Sequence, residues 1–250
     1  MNERKTPKLS VMLYLSGSIE EIRSKAQLCV DAGIETLYFP DHLIGGGNAD
    51  KTSNSPWLAM WPTLMDIAFR HPNIKVGTMV ASSILRPAAQ LAVEANTVSH
   101  ILGTDRFKLT VGAGGAKSDA EILGFDQSIN LSEHFNSYIK ELILLLGTNS
   151  PLRNTDTLTL RLAADSLESI KTISDYGSSW VTTGGWRLTI EERVHRANLL
   201  NSELKKSRFD GECAFFTSKG DGLTFLSTQD EIDDFTSHFE FKIDEIIVPF

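Results

Sequence analysis

The run Lys75–Gly124, KVGTMVASSILRPAAQLAVEANTVSHILGTDRFKLTVGAGGAKSDAEILG, reads without interruption as strand, loop, helix, strand and glycine loop. Lys75–Val80 is short and rich in β-branched residues. Pro87 opens a stretch in which Ala88, Leu91, Ala92, Ala95 and Val98 recur at helical spacing, and Gly103 closes it. Arg106–Val111 then returns as a strand. Two strands joined by a helix long enough to reverse direction form a parallel crossover, expected to be right-handed. Gly112-Ala113-Gly114-Gly115 follows the second strand, at the end where parallel α/β folds keep their ligands.

The same alternation extends in both directions. Upstream, Leu9–Leu15 is a buried strand, and Ser18 with Glu21 forms a capping box for a helix over Ile19–Ala32 that Gly33 ends. Thr36–Pro40 is a second strand with Asp41-His42 at its carboxyl end, followed by a glycine-, asparagine- and serine-rich loop from Gly45 to Ser55. Pro56-Trp57 is expected to begin a helix reaching about Arg70. Downstream, Ser132 with Glu133 begins a helix that presents Phe135, Ile139, Leu142, Ile143 and Leu146 on one face. Leu158–Ala164 is a fifth strand, Asp165-Ser166 caps a helix to Tyr176, and Trp180–Thr183 is a sixth. A charged helix over Thr189–Lys206, a strand over Glu212–Thr217, a helix from Thr228 and a strand over Glu245–Phe250 complete the order.

The Lys75–Gly124 segment resembles the bacterial luciferase-like superfamily, flavin- and deazaflavin-dependent oxidoreductases built on an α/β (β/α)8 TIM barrel. Val76-Gly77-Thr78, Arg86-Pro87-Ala88, Asp105-Arg106-Phe107, and Gly112 to Gly114 with Gly124-Phe125 carry the resemblance in that order, and the stretch from Leu160 to Gly185 extends it. The 250 residues suit one such domain spanning 1–250. Two departures stand out: the long insertion usual near the fifth strand and the long helices between the seventh and eighth are missing. The order also lacks the last outer helix, which leaves apolar barrel surface to be covered by a partner subunit or marks a reduced member.

Composition narrows the classes further. With 41% hydrophobic and 22% charged residues the chain falls among ordinary globular proteins, and its net charge of −8 and lack of a basic patch argue against nucleic acid. No apolar run is long enough for a membrane span, and Met1–Lys5 lacks a signal-peptide core, so a cytoplasmic protein with no membrane partner is expected. Two distant cysteines, Cys29 and Cys213, exclude a disulfide framework and read as packing residues. His71, His100, His134, His195 and His238 show no paired-ligand spacing, so no metal site is expected.

The resemblance implies a cofactor, coenzyme F420 (deazaflavin) or FMN, and assigns candidate residues to it. Met79 and Val80 would be joined by a cis peptide behind the ring. Gly112, Ala113 and Gly114 would bring bare backbone near the ring or its tail. Ser166 and Ser169, at a helix start, would receive a phosphate, with Gly184 and Gly185 close by, while Asp165 would have to turn to backbone amides or ribityl hydroxyls. Read without the resemblance, the serines are a routine N-cap. The glycine loop fails both the G-x-G-x-x-G pattern, at Lys117, and the P-loop pattern. His42, beside Asp41 at a strand end, is placed for acid/base chemistry, or else is a histidine bonded beneath the loop. Trp57 and Trp61 belong either to the substrate side or to the core. The glutamate general acid of the family's sugar dehydrogenases is replaced by Gly115. The expected function is therefore hydride transfer or monooxygenation of a small organic substrate by a homodimer, against a non-catalytic flavin-binding or assembly protein on the same barrel.

Overall fold

Each stave of the sheet hands the chain to helical segments that return it to the same end, so every strand pairing is parallel. The computed structural model describes residues 6–44, 56–114, 117–152, 158–177, 179–185, 188–218 and 221–250. In chain order the elements are β1 (Lys8–Met12), α1 (Ile19–Asp31), β2 (Thr36–Phe39), α2 (Met60–Arg70), β3 (Lys75–Thr78), β4 (Ala81–Ser82), α3 (Ala88–Leu102) and β5 (Phe107–Gly112). They continue with α4 (Lys117–Leu123), α5 (Leu131–Leu146), β6 (Thr159–Ala163), α6 (Leu167–Tyr176), β7 (Ser179–Thr182), α7 (Ile190–Lys206), β8 (Glu212–Phe216), α8 (Gln229–Ser237) and β9 (Glu245–Pro249). The strand order β3-β2-β1-β9-β8-β7-β6-β5-β4 is closed by a β3–β5 pairing. Because β3 and β4 are two halves of one stave, the sheet is a closed eight-stave (β/α)8 barrel, as the sequence predicts.

Alternation along the strands sorts side chains to the two faces of the sheet. Val11, Leu37, Val76, Leu109, Leu162, Phe215 and Ile246 join the shell packed under the helices. Met12, Tyr38, Val181, Ala214, Phe216 and Ile247 form a separate cluster inside, with Met79. Capping boxes start α1 (Ser18, Glu21), α7 (Thr189, Glu192) and α8 (Thr228, Glu231), each satisfying two end groups that the helix itself leaves unpaired.

Four expectations change. Helix α2 begins at Met60 rather than Pro56, because Trp57 N–H bonds to Leu43 O and Leu58 N–H to Leu15 O, tying this stretch to the chain across the barrel end. Asn130, not Ser132, caps α5, accepting from the amides of Ser132 and Glu133. The glycine loop leads into a short helix, α4, absent from the sequence reading. The helix-facing side of β1 and β9 is also covered, not open: Val11, Leu13, Ile246 and Val248 are fully buried. Aromatic side chains pack among the last elements. The Phe225 and Phe250 rings meet at 4.4 Å, Lys25 of α1 lies over Phe250, and Phe239 packs between Phe215 and Phe241.

Candidate active site

The pairing register brings the carboxyl ends of the strands onto one rim. Ser82 pairs with Gly112, Gly112 with Ala163, and Ala163 with Val181. Phe39 pairs with Thr78 on the other flank of the third stave. Hence the segments that follow these strands meet at one mouth: Asp41-His42 after β2, Ala113-Gly114 after β5, Asp165-Ser166 after β6 and Gly184-Gly185 after β7. The Gly45–Ser55 loop and Gly115 lie outside the described residues.

At the end of β2, Asp41 is buried and its two oxygens are used within the chain. One meets Arg86 at 2.9 Å and the other accepts the Ser82 amide at 3.2 Å. Burial pushes this carboxyl above its ordinary value, against the pull of Arg86 and the Ser82 amide. Asp41 thus braces the end of β2 to β4 and the chain leading into α3. His42 next to it points elsewhere. Its Nδ1 lies 2.6 Å from Oδ2 of Asp119, whose other oxygen accepts the Leu43 amide at 3.0 Å. Asp119 is only 2% exposed, whereas the His42 side chain keeps 37% of its surface. Trp57 stands edge-on to the imidazole at 5.2 Å and to Tyr14 at 5.8 Å. Burial pushes the Tyr14 hydroxyl up to about 12. Trp57 therefore belongs to the His42 surroundings, while Trp61 packs against Phe107 beneath the Arg86 guanidinium. Asp119 escaped the sequence reading because it sits just beyond a glycine-rich loop with no helix signal of its own.

The third stave is interrupted at Met79-Val80, whose peptide is cis as the resemblance implied. Across the gap, Thr78 Oγ1 accepts from Thr110 N at 2.8 Å and donates to Thr110 O at 2.7 Å, replacing the missing ladder bonds. Met79 joins the inner apolar cluster and Val80 packs against it. The glycines opposite are required by this packing. A Cβ on Gly112 would lie 2.6 Å from Val80 Cγ2, and one on Gly114, at φ +81°, would lie 2.5 Å from Ser82 Oγ. The bare backbone at 112 and 114 thus makes room first for the chain's own third stave. Ala113 O accepts from Ser83 Oγ at 2.9 Å, and its side chain packs against the outer shell.

Ser166 caps α6, accepting from the Ser169 amide at 3.1 Å and meeting Ser169 Oγ at 3.0 Å; Ser132 Oγ of α5 lies 3.2 Å from the same hydroxyl. Three hydroxyls from two helix starts are therefore chained together. Asp165 turns away from them. Its oxygens accept from the amides of Thr183 (2.9 Å) and Gly184 (3.1 Å) and from the hydroxyls of Thr182 and Thr183. Gly184, at φ +69°, has the backbone of Arg193 where a Cβ would stand, and Gly185 has φ +106°. Arg193 ties the neighbouring loops together: its guanidinium donates to Thr183 O and Phe216 O, both at 2.6 Å, and pairs with Asp221. The charged pattern of α7 gave no sign that this arginine is buried.

This geometry can be set against known proteins. No protein-family model and no curated protein sequence matches the chain. Solved structures do match. An F420-dependent secondary alcohol dehydrogenase in complex with an F420–acetone adduct superposes with a TM-score of 0.73 at 12% identity, over 98% of this chain and 93% of that one. The two share one barrel fold over nearly their whole lengths. The coenzyme F420 dependent tetrahydromethanopterin reductase from Methanopyrus kandleri matches over the same shares, with a TM-score of 0.67 and 11% identity. The oxygenating constituent of 3,6-diketocamphane monooxygenase from Pseudomonas putida, a type II Baeyer–Villiger monooxygenase in complex with FMN, gives 0.60 at 13% identity, over 85% of this chain and 67% of that one.

Deeper inside this barrel lies a second polar group that sequence reasoning missed. Glu245 accepts from Ser10 Oγ (2.5 Å) and Tyr38 OH (3.0 Å) and pairs with Arg161 (2.8 Å) and Lys108 (3.4 Å). Burial would raise its carboxyl, but the charges of Arg161 and Lys108 and the two hydroxyl bonds outweigh it and hold it below the ordinary value. Burial moves Lys108 down and Tyr38 well up. The signal was present in the sequence: Arg161 and Lys108 each interrupt an otherwise apolar strand, and a charge there must find a partner inside.

Proposed function

We propose that this chain is a flavin- or deazaflavin-dependent oxidoreductase that works on a small organic substrate at the carboxyl-end mouth of its barrel. The observation carrying this reading is what meets on that rim: an apolar floor, a helix start ringed by hydroxyls, and a half-exposed histidine held by a buried carboxylate. The residues fit a reduced flavin-type cofactor. Ser166, Ser169 and the α6 amides at Leu167 and Glu168, which have no acceptor within the helix, would hold the anionic tail. Asp165, already satisfied by backbone amides and hydroxyls, need not oppose it. Met79 and Val80 would supply the apolar surface behind the ring, and the backbone at Ala113, Gly114, Gly184 and Gly185 would flank it. When bound, the cofactor would supply the electron chemistry, as hydride transfer from F420 or oxygen chemistry from FMN. The chain itself contributes binding, exclusion of water and proton handling at His42, with Asp41 keeping β2 and β4 in register. The likeness extends over nearly all of two F420-dependent enzymes and over about two thirds of an FMN oxygenase, which supports F420 over FMN.

Titration of the purified protein with FMN and F420 separately, followed by visible absorbance and melting temperature, tests the reading. A ligand that binds only the folded chain must raise the melting temperature, by about 2.7 kcal/mol of added stability at a hundredfold excess over Kd. F420 is expected to give the larger shift. No shift with either cofactor would remove the redox assignment and leave a barrel that serves in assembly.

A further inference from the structure

We infer that Asp119 is the positioning residue of the mouth. It holds the His42 imidazole in the Nδ1–H form, so that Nε2 carries a lone pair for a hydrogen donor bound there. An ionised carboxylate only accepts hydrogen bonds, so the nitrogen 2.6 Å from Oδ2 must be the donor. Nε2 is left on the edge of the ring away from Asp119, and among the described residues nothing hydrogen-bonds it. Three features make the arrangement rigid. Asp119 is 2% exposed, which strengthens its bonds in a poorly screened setting. Its second oxygen is committed to the Leu43 amide, which follows His42 directly, so one carboxylate fixes both ring and backbone. The Trp57 ring stands at 88° to the imidazole and hinders its rotation. The other nearby carboxylate, Asp41, is turned to Arg86 and Ser82 and does not compete.

The partner of Nε2 is accordingly a molecule offering O–H or N–H at that point, such as a hydroxyl-bearing substrate. That clause rests on the oxidoreductase reading; the tautomer does not. Asp119→Asn separates this role from simple space filling. The Leu43 amide still needs an acceptor, so the asparagine oxygen stays with it and the NH2 faces Nδ1. Nδ1 must then accept, and the proton moves to Nε2.

Imidazole 15N NMR of the intact, cofactor-free chain reads this directly, with His42→Gln identifying the His42 signals among the six histidines. At a pH where the ring is neutral, wild type is expected to show a protonated Nδ1 and an unprotonated Nε2, and folded Asp119→Asn the reverse. An Nε2–H or mixed wild-type ring overturns the proposal, as does an unchanged pattern in the folded variant. If the variant does not fold, the wild-type spectrum decides alone. Failure of both cofactors to raise the melting temperature would sink the redox reading and leave the tautomer result standing.

Discussion

Glu245 in the barrel interior and Asp41 at its mouth are about equally withdrawn from water, 4% and 5% exposed, yet their carboxyls are displaced in opposite directions. Burial pushes both up. Glu245 meets two cations and two hydroxyls, which together overcome the burial cost. Asp41 meets one guanidinium and one backbone amide, and burial prevails. The interior thus gathers its charges into one cluster, whereas at the rim Arg86 braces the loops through Asp41 and Glu94 and Asp119 aims one imidazole. Charges in the first region hold the barrel together, and those in the second hold a shape against which something can bind.

Breaking the interior cluster should have the largest effect on folding. Glu245→Ala strands Arg161 and Lys108 and is expected to cost about 3–5 kcal/mol in urea or thermal unfolding. The pH dependence sharpens the contrast. With its folded value below the ordinary 4.5, Glu245 contributes fully above about that pH and loses its contribution as pH falls through the folded value. Asp41, raised above 3.8, works in the opposite sense, and stability is lost as pH rises from 3.8 through its folded value. Glu245→Gln should therefore flatten the acid limb below 4.5 while the opposing Asp41 slope remains; an unchanged acid limb would count against the interior cluster.

At the third stave, Gly112→Ala drives a Cβ into Val80 and is expected to cost about 1–3 kcal/mol. Adding Val80→Ala should return part of that loss, and strictly additive costs would show that the two residues do not press on each other. Ser166→Ala removes a helix cap for about 1 kcal/mol, read by thermal melting. The same change should weaken cofactor binding more than an N-cap lost elsewhere, such as Thr228→Ala. His42→Gln takes the partner from one oxygen of the buried Asp119 and is expected to cost about 1–3 kcal/mol. Turnover, once a substrate is found, should fall by about 10²–10⁴-fold. A loss as large as that of Glu245→Ala would move His42 from the second region into the first.

Much of the scaffold could be read from local signals. Helical spacing after Pro87, the glycines at 33 and 103 and the Ser18–Glu21 capping box each report on a few neighbouring residues, and the elements they mark are present with ends shifted by a few positions. The largest shift, at α2, has a non-local cause in the bonds from 57 and 58 to 43 and 15. Among the site candidates, Ser166 is the helix N-cap that its position suggested, and Asp165 turns to the backbone amides of Thr183 and Gly184. Gly112, Gly114 and Gly184 are explained by contacts that no local pattern carries. Arg193 looked like one charge on a solvated helix and is 1% exposed.

The order of strands and helices, and with it the end of the barrel where loops after β2, β5, β6 and β7 converge, follows from the sequence, because parallel connection fixes which strand ends share a rim. The partner of each charge was settled only by tertiary structure. Asp119 reaches His42 across 77 positions and Tyr38 reaches Glu245 across 207, and the aromatic rings that meet among the last elements come from β8, the loops on either side of α8 and the end of β9. A side chain's period reveals the face it occupies, but not which distant residue the closed sheet will set opposite it.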